Sequence, residues 1–240
     1  MIQVLIVLGL IIIVILIALL VAVILLNTHY IRLESDKYSD ADRWNFTRWL
    51  VNWAVPLLTF SKTEMEGIEK LDVDNLETGV VYANHHSIFD IFSFIKTVKR
   101  HHAYIAKKEI GNIFLLHRGM RAIRCGFLDR DNPRDAVKTI NEAVKTVKEG
   151  ILMVIFPEGT RMYKGPLGTF KAGSFKVAIK AKAPIVPMTI YNSEMVGKRW
   201  PRPTTVKIKI HDPIPYDDYH HMDTSEIALM VEKIVKADLL

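Results

Sequence analysis

Cysteine is almost missing from this chain, with Cys125 the only one among 240 residues. A lone thiol excludes an intrachain disulfide, agrees with a reducing compartment, and beside a strand acts as a small apolar residue. Other absences narrow the chemistry further. The nine histidines include His86, His101-His102 and His220-His221, yet none stands in a His-Glu-x-x-His or Cys/His ligand spacing, so neither a metal site nor a cofactor is expected. No serine lies in a Gly-x-Ser-x-Gly elbow, which argues against an α/β-hydrolase. The formal charge of +6 has no nucleic-acid-binding motif beside it. Anionic lipid headgroups, phosphorylated substrates and acidic carrier proteins remain as partners for a basic surface. There is no internal repeat.

The longest gap is in charge itself. From Ile2 to Leu26 no side chain is ionised and Gln3 is the only strongly polar one. As a helix such a run reaches roughly 35 to 40 Å, enough to cross a ~30 Å hydrocarbon layer. No basic segment precedes it and no Ala-x-Ala-like cleavage site follows, so it reads as a membrane anchor rather than a signal peptide. Arg32, Lys37, Arg43 and Arg48 follow it, which by the positive-inside rule puts the rest of the chain on the cytoplasmic side of the cell membrane. After a polar connector, residues 43–60 place Trp44, Trp49 and Trp53 among apolar residues with Arg43 and Arg48 interleaved. That composition suits an interfacial helix ending near Pro56, or else an amphipathic helix packed on the domain. Residues 1–60 are thus expected to be a membrane-anchoring helix pair and residues 61–240 the functional domain.

Within the domain, short runs rich in β-branched and aromatic residues alternate with helical patterns. Strands are expected at 80–83, 103–106, 126–128, 151–156, 185–190 and 205–210. Val137, Ile140, Val144 and Val147 recur at helical spacing between Asn132-Pro133 and Gly150, and Ile227, Val231, Ile234 and Val235 mark a last helix. The alternation predicts an α/β fold, a mixed and largely parallel sheet flanked by helices.

Two histidines, a hydroxyl and a carboxylate crowd "NHHSIFD", Asn84 to Asp90, directly after the first of these strands. Ser87 and Asp90 fit a capping box at a helix start, with no need of His85. On one continuous helix His85 and Asp90 would diverge by about 140°. They meet only if His85 lies in the preceding loop and Asp90 reaches back from the first turn. A carboxylate on one imidazole nitrogen fixes the tautomer, leaving the other to take a proton from a substrate hydroxyl. Further cations stand at other strand ends: Lys107-Lys108, Arg130 in "GFLDR", and Arg161 in "FPEGTR", Phe156 to Arg161. Ligands of open α/β sheets bind at the carboxyl ends of strands, and three such ends can converge on one anion. Arg118, Arg121 and Arg124 form another basic face, either solvated or open to anionic lipid or an acidic carrier.

In order along the chain, Asn84–Asp90, Cys125–Arg130, Phe156–Arg161 and "APIVPMTI", Ala183 to Ile190, resemble the four motif blocks of the phospholipid acyltransferases typified by 1-acylglycerol-3-phosphate acyltransferases. The resemblance covers roughly residues 62 to 212. The second block departs from the family in having Cys125, then Gly126, where a glycine usually stands five residues before the arginine. The resemblance implies His85 as general base, Asp90 as its orienting partner, and Arg130, Glu158, Gly159, Thr160 and Arg161 at the glycerol phosphate. It adds Lys107 as a further phosphate residue, with Pro187 shaping the acyl pocket. The implied reaction moves an acyl group from acyl carrier protein or coenzyme A to the free hydroxyl of lysophosphatidate, giving phosphatidate, with membrane phospholipids around the enzyme. Glycerol-3-phosphate or another lysophospholipid as acceptor, and a non-catalytic lipid-binding module, are the alternatives.

Overall fold

The computed structural model describes residues 2–162, 168–198 and 202–239. In chain order the elements are α1 (Ile2–Leu33), α2 (Asp40–Thr59), β1 (Ser61–Glu66), β2 (Val80–Ala83), α3 (Ile88–Thr97), β3 (His102–Lys107), α4 (Leu116–Ala122) and β4 (Gly126–Leu128). They continue with α5 (Pro133–Lys148), β5 (Leu152–Ile155), α6 (Lys176–Ala181), β6 (Ile185–Tyr191), β7 (Thr204–Ile210), α7 (Tyr216–Tyr219) and α8 (Thr224–Leu239). The strands form one sheet in the order β1-β7-β6-β2-β5-β3-β4, parallel except where β6 and β7 run antiparallel. The α/β architecture with a mixed, largely parallel sheet is therefore the one its periodicity predicts.

Side chains alternate across the central strands, as the two-residue period of a strand requires. Val81 and Ala83 of β2, with Leu152 and Val154 of β5, enter one core, whereas Val80, Tyr82, Met153 and Ile155 enter the other. Both faces are buried, which is why these strands read as continuous apolar runs rather than alternating ones. β1 was not expected. "SKTEME" has one apolar residue, and the strand holds its place at the sheet edge through backbone pairing with β7, from Ser61↔Thr204 to Glu66↔Lys209.

Strand ends shift by at most one residue from expectation, and the ends of the two N-terminal helices shift further. α1 continues to Leu33 instead of stopping at Leu26: Tyr30 and Leu33 of the added turns bury against the domain, and the Thr28 hydroxyl is satisfied on the carbonyls of Ile24 (3.0 Å) and Leu25 (2.8 Å). α2 runs through Pro56 to Thr59; the missing N–H costs one bond near the helix end, and Phe60 closes the helix in the left-handed region by donating to the Pro56 carbonyl (3.1 Å).

α2 also serves the domain. Trp44, Val51 and Val55 are buried in the same core as the sheet, and the Trp44 indole donates to the Lys99 carbonyl (2.8 Å) while stacking on His101. Trp49 and Trp53 remain exposed on another face. The basic face of α4 is largely committed to the N-terminal helices. Arg118 pairs with Glu34 (2.6 Å), and Arg124 binds Asp40 (2.7 Å) and Glu149 (2.6 Å). Tyr30 and Leu33 bury against Ala122 at the same junction. Gly119 permits the approach, since a Cβ there would stand 3.1 Å from the Tyr30 hydroxyl. Beyond this junction α1 is bare: it is long and apolar enough to cross a membrane, and its window of highest hydropathy buries nothing inside the protein.

Candidate active site

The parallel strands β6, β2, β5, β3 and β4 all point the same way, so their carboxyl ends share one edge. Because β2 and β5 are neighbours, with Tyr82 opposite Ile155, the two loops that leave them are adjacent. One carries "NHHSIFD" and the other "FPEGTR".

His85 lies in the loop and Asp90 in the first turn of α3. The His85 Nδ1 to Asp90 Oδ2 distance is 2.7 Å. The same carboxylate oxygen accepts the backbone N–H groups of His86 and Ser87, each at 2.8 Å, while the Ser87 hydroxyl accepts from Phe89 N–H. One oxygen thus caps the helix and holds the imidazole, and the two readings of the motif prove compatible. With a fully buried carboxylate as its acceptor, Nδ1 carries the proton, and Nε2 is the nitrogen able to receive one. The ring is packed face to face on Phe156, with centroids 4.1 Å apart, and Phe156 stacks in turn on Tyr104.

The β5 loop grips the His85 backbone from both sides. Glu158 Oε1 accepts its N–H (2.7 Å), and Met162 N–H donates to its carbonyl (2.8 Å). The other Glu158 oxygen accepts Gly168 N–H (2.9 Å). Only 4% exposed, Glu158 is pushed above the ordinary carboxyl range by burial, an effect that these backbone donors oppose. Both oxygens face protein backbone, so Glu158 sits behind the base rather than among exposed ligand-facing groups. Asn84 secures the other side. Its amide donates to the Ile190 carbonyl and accepts Ile190 N–H, both at 2.8 Å, extending the β2–β6 pairing one residue past the strand.

Arg130 follows β4 across the sheet and reaches Gly159. That glycine is left-handed at φ 73°, and a Cβ on it would lie 2.9 and 3.1 Å from the two terminal nitrogens of Arg130 and 3.1 Å from Lys171 Nζ. His85, Asp90, Glu158, Gly159 and Arg130 therefore gather at one edge. Thr160 and Arg161 are exposed on the same loop, directly before the Met162 that holds His85, and Lys107 is exposed at the end of β3. Lys108 beside it is paired with Asp129 (2.7 Å). Sequence reasoning missed the parts of Asn84, Phe156 and Lys171. The first two stand inside the motif blocks and were within reach; Lys171, in "GTFKAGSF", carried no signal.

A family model described as "Acyltransferase" matches residues 62–191. A 1-acyl-sn-glycerol-3-phosphate acyltransferase from Cocos nucifera is 31% identical over 168 residues, 65% of this chain and 53% of its own. A chloroplastic one from Brassica napus is 31% identical over 202 residues, 80% of this chain and 56% of its own. The chain thus spans about half the length of the curated relatives it matches. The crystal structure of a 1-acyl-sn-glycerophosphate (LPA) acyltransferase from Thermotoga maritima superposes with a TM-score of 0.65 at 26% identity, covering 91% of this chain and 95% of that one. The matched segment takes in β1 to β6 and every loop that builds the edge just described, and by that match the chain belongs to the acyltransferase family.

Proposed function

We propose that this protein transfers an acyl group from a thioester, carried on acyl carrier protein or coenzyme A, to the free hydroxyl of 1-acylglycerol-3-phosphate, forming phosphatidate. The observation that carries the reading is the His85–Asp90 pair, 2.7 Å apart at the carboxyl end of a central strand, with cations on the neighbouring strand ends. Binding alone needs no oriented imidazole, which favours catalysis over a lipid-binding module.

In this reading His85 Nε2 takes the hydroxyl proton as the acceptor oxygen attacks the thioester carbonyl. The carbon–sulfur bond then breaks, and the imidazolium returns its proton to the leaving sulfur. Asp90 holds the ring through the resulting charge, and general-base assistance of this kind is worth about 10²- to 10⁴-fold. Thioester activation and positioning supply the rest, with no metal or cofactor called upon. Arg130, Arg161 and Lys107 hold the acceptor phosphate. Glu158 and Thr160 shape the loop that carries Gly159 and Arg161. α1 and the exposed Trp49 and Trp53 of α2 keep the domain at the cytoplasmic face of the membrane, where acceptor and product both reside.

The test is acyl transfer from a labelled donor by membranes holding wild type or His85→Ala, with lysophosphatidate and glycerol-3-phosphate as parallel acceptors. Phosphatidate formation by wild type and its loss by about 10²-fold or more in the variant are expected. Full activity in His85→Ala would reduce the motif to a capped helix start. Transfer to glycerol-3-phosphate alone would move the assignment to that acceptor.

A further inference from the structure

One loop leads from the active-site edge to the base of α1. β3 ends at Lys107, a 3₁₀ turn covers Lys108–Asn112, and α4 begins at Leu116. Between the turn and the helix, Ile113 and Phe114 stand 51% and 63% exposed, as bare as the side chains along α1. An adjacent isoleucine and phenylalanine in water forgo the burial that large apolar groups favour. The backbone nevertheless fixes them outward. Leu115 has φ 68° and ψ −44°, and Leu116 N–H donates to the Phe114 carbonyl (2.8 Å), a γ-turn of the rare, strained kind that persists only where surrounding structure holds it. On one side Gly111 lies against β4, where a Cβ would stand 3.2 Å from Phe127. On the other, Leu115 packs into the small cluster of Tyr30, Leu33 and Ala122. Leu26, the last residue of the charge-free run, packs into that cluster too, as does Phe46 of α2, which stacks on exposed Trp49. The Ile113–Phe114 tip therefore sits at the level where the apolar helix meets the domain.

We propose that Ile113 and Phe114 insert into the bilayer as a membrane contact made by the α/β domain itself, holding the strand-end edge against the lipid surface. Lipid is the occupant because the tip continues the apolar surface of α1 and of the α2 tryptophans through one shared cluster. Arg121, exposed on α4 and paired with no carboxylate among the described residues, supplies a cation for the headgroups behind that apolar tip. A helix in a bilayer tilts unless contacts beside it set its angle, and a tip at its base resists that tilt. The N-terminal helices alone would leave the strand ends a whole domain away from the anchor. Here five residues separate Lys107, at the end of β3, from Ile113. The role of the tip in presenting an acceptor rests on the acyl-transfer reading; its depth in the bilayer does not.

The deciding experiment places a nitroxide label at Phe114→Cys, Leu16→Cys or Leu229→Cys in the full-length chain carrying Cys125→Ala, reconstituted into vesicles that contain phosphatidylglycerol. Relaxation by oxygen, which concentrates in lipid, and by a nickel chelate, which stays in water, reads the depth of each label. The label at 114 should favour oxygen as the α1 label does, while the label at 229, a position 69% exposed on α8, should favour nickel. Preference for nickel at 114 would overturn the contact. Shielding from both reagents would overturn it too, by putting protein rather than lipid on the tip. In the native background, Ile113→Ser combined with Phe114→Ser should raise KM for long-chain lysophosphatidate in vesicles by about three- to tenfold, with kcat and turnover of a short-chain, soluble acceptor unmoved. An unchanged KM, or an equal loss on both acceptors, would sink the presenting role. A label at 114 deep in lipid, in a protein that transfers no acyl group, would keep the contact and remove the acyl-transfer reading.

Discussion

At the scale of single residues, the site joins a locally held pair, His85 and Asp90, to polar groups such as Glu158 and Asn84 whose partners lie far along the chain. Asp90 serves its role through one oxygen with three donors, so Asp90→Asn, which replaces a charged acceptor and can present an amide to the imidazole, should lower kcat by about 10²-fold or more. Circular dichroism should show α3 retained; activity near wild type would remove Asp90 from the mechanism. His102 makes a different prediction. It is fully buried among Trp44, Phe94 and Tyr104, and burial pulls its pKa from 6.5 down to about 3. With a folded pKa below the unfolded one, neutral His102 contributes stability that is present above about pH 6.5 and lost as pH falls toward 3. His102→Phe should therefore flatten the acid branch of the unfolding midpoint, with Trp44 fluorescence as probe. An unchanged slope between pH 7 and 3 would assign acid lability elsewhere. His85 and Asp90 could be found by eye because the motif is seven residues long. Lys171 could not, since its partner Arg130 is brought to it by the fold alone.

Among elements, α2 and the end of β2 are the informative cases. Asn84 extends β2 by bonding both polar groups of Ile190, and Asn84→Ala would orphan a buried N–H and a buried carbonyl at about 1–3 kcal/mol each. Denaturant unfolding in detergent should report that loss, and a variant as stable as wild type would mean water replaces the amide. α2 looks interfacial from its tryptophans, yet one face of it belongs to the core. Deleting residues 1–26 should leave the domain folded and resistant to protease. Deleting residues 1–60 removes buried Trp44, Val51 and Val55, with burial worth roughly 1.5–3 kcal/mol for each valine and about 3–5 kcal/mol for the tryptophan, against a typical net stability of about 5–15 kcal/mol. The chain shortened by 60 residues should unfold, and a well-folded one would return α2 to the membrane surface alone. The sequence of α2 shows apolar residues and their spacing. It does not say whether protein or lipid covers them, because both are apolar partners.

For the whole molecule, a bare apolar helix tied to an α/β domain fits the proposal that an acyl-chain acceptor is met at the bilayer. The junction is firm: Arg118 and Arg124 tie α4 to the turn between α1 and α2, and the Arg43 side chain donates to the Leu33 carbonyl (2.7 Å). Removing residues 1–26 should thus cut activity on long-chain acceptors in vesicles far more than on short-chain, soluble ones. An equal fall on both would mean that the helix does not deliver substrate.

From the sequence alone came the apolar N-terminal run, the α/β class, the central strands and the paired His85 and Asp90. Each is written in a local pattern: uninterrupted hydropathy, a two- or 3.6-residue period, or a short motif whose members fold within one loop and one helical turn. Tertiary structure decided which strands are neighbours, and with that the meeting of the β2 and β5 loops, the burial of Glu158 behind the base, and the convergence of Arg130 and Lys171 on Gly159. It also turned most of a basic face into a clamp for the N-terminal helices and made a strand of "SKTEME". Such features depend on backbone pairing and charge contacts between segments far apart in the chain, where local composition carries little information about the partner.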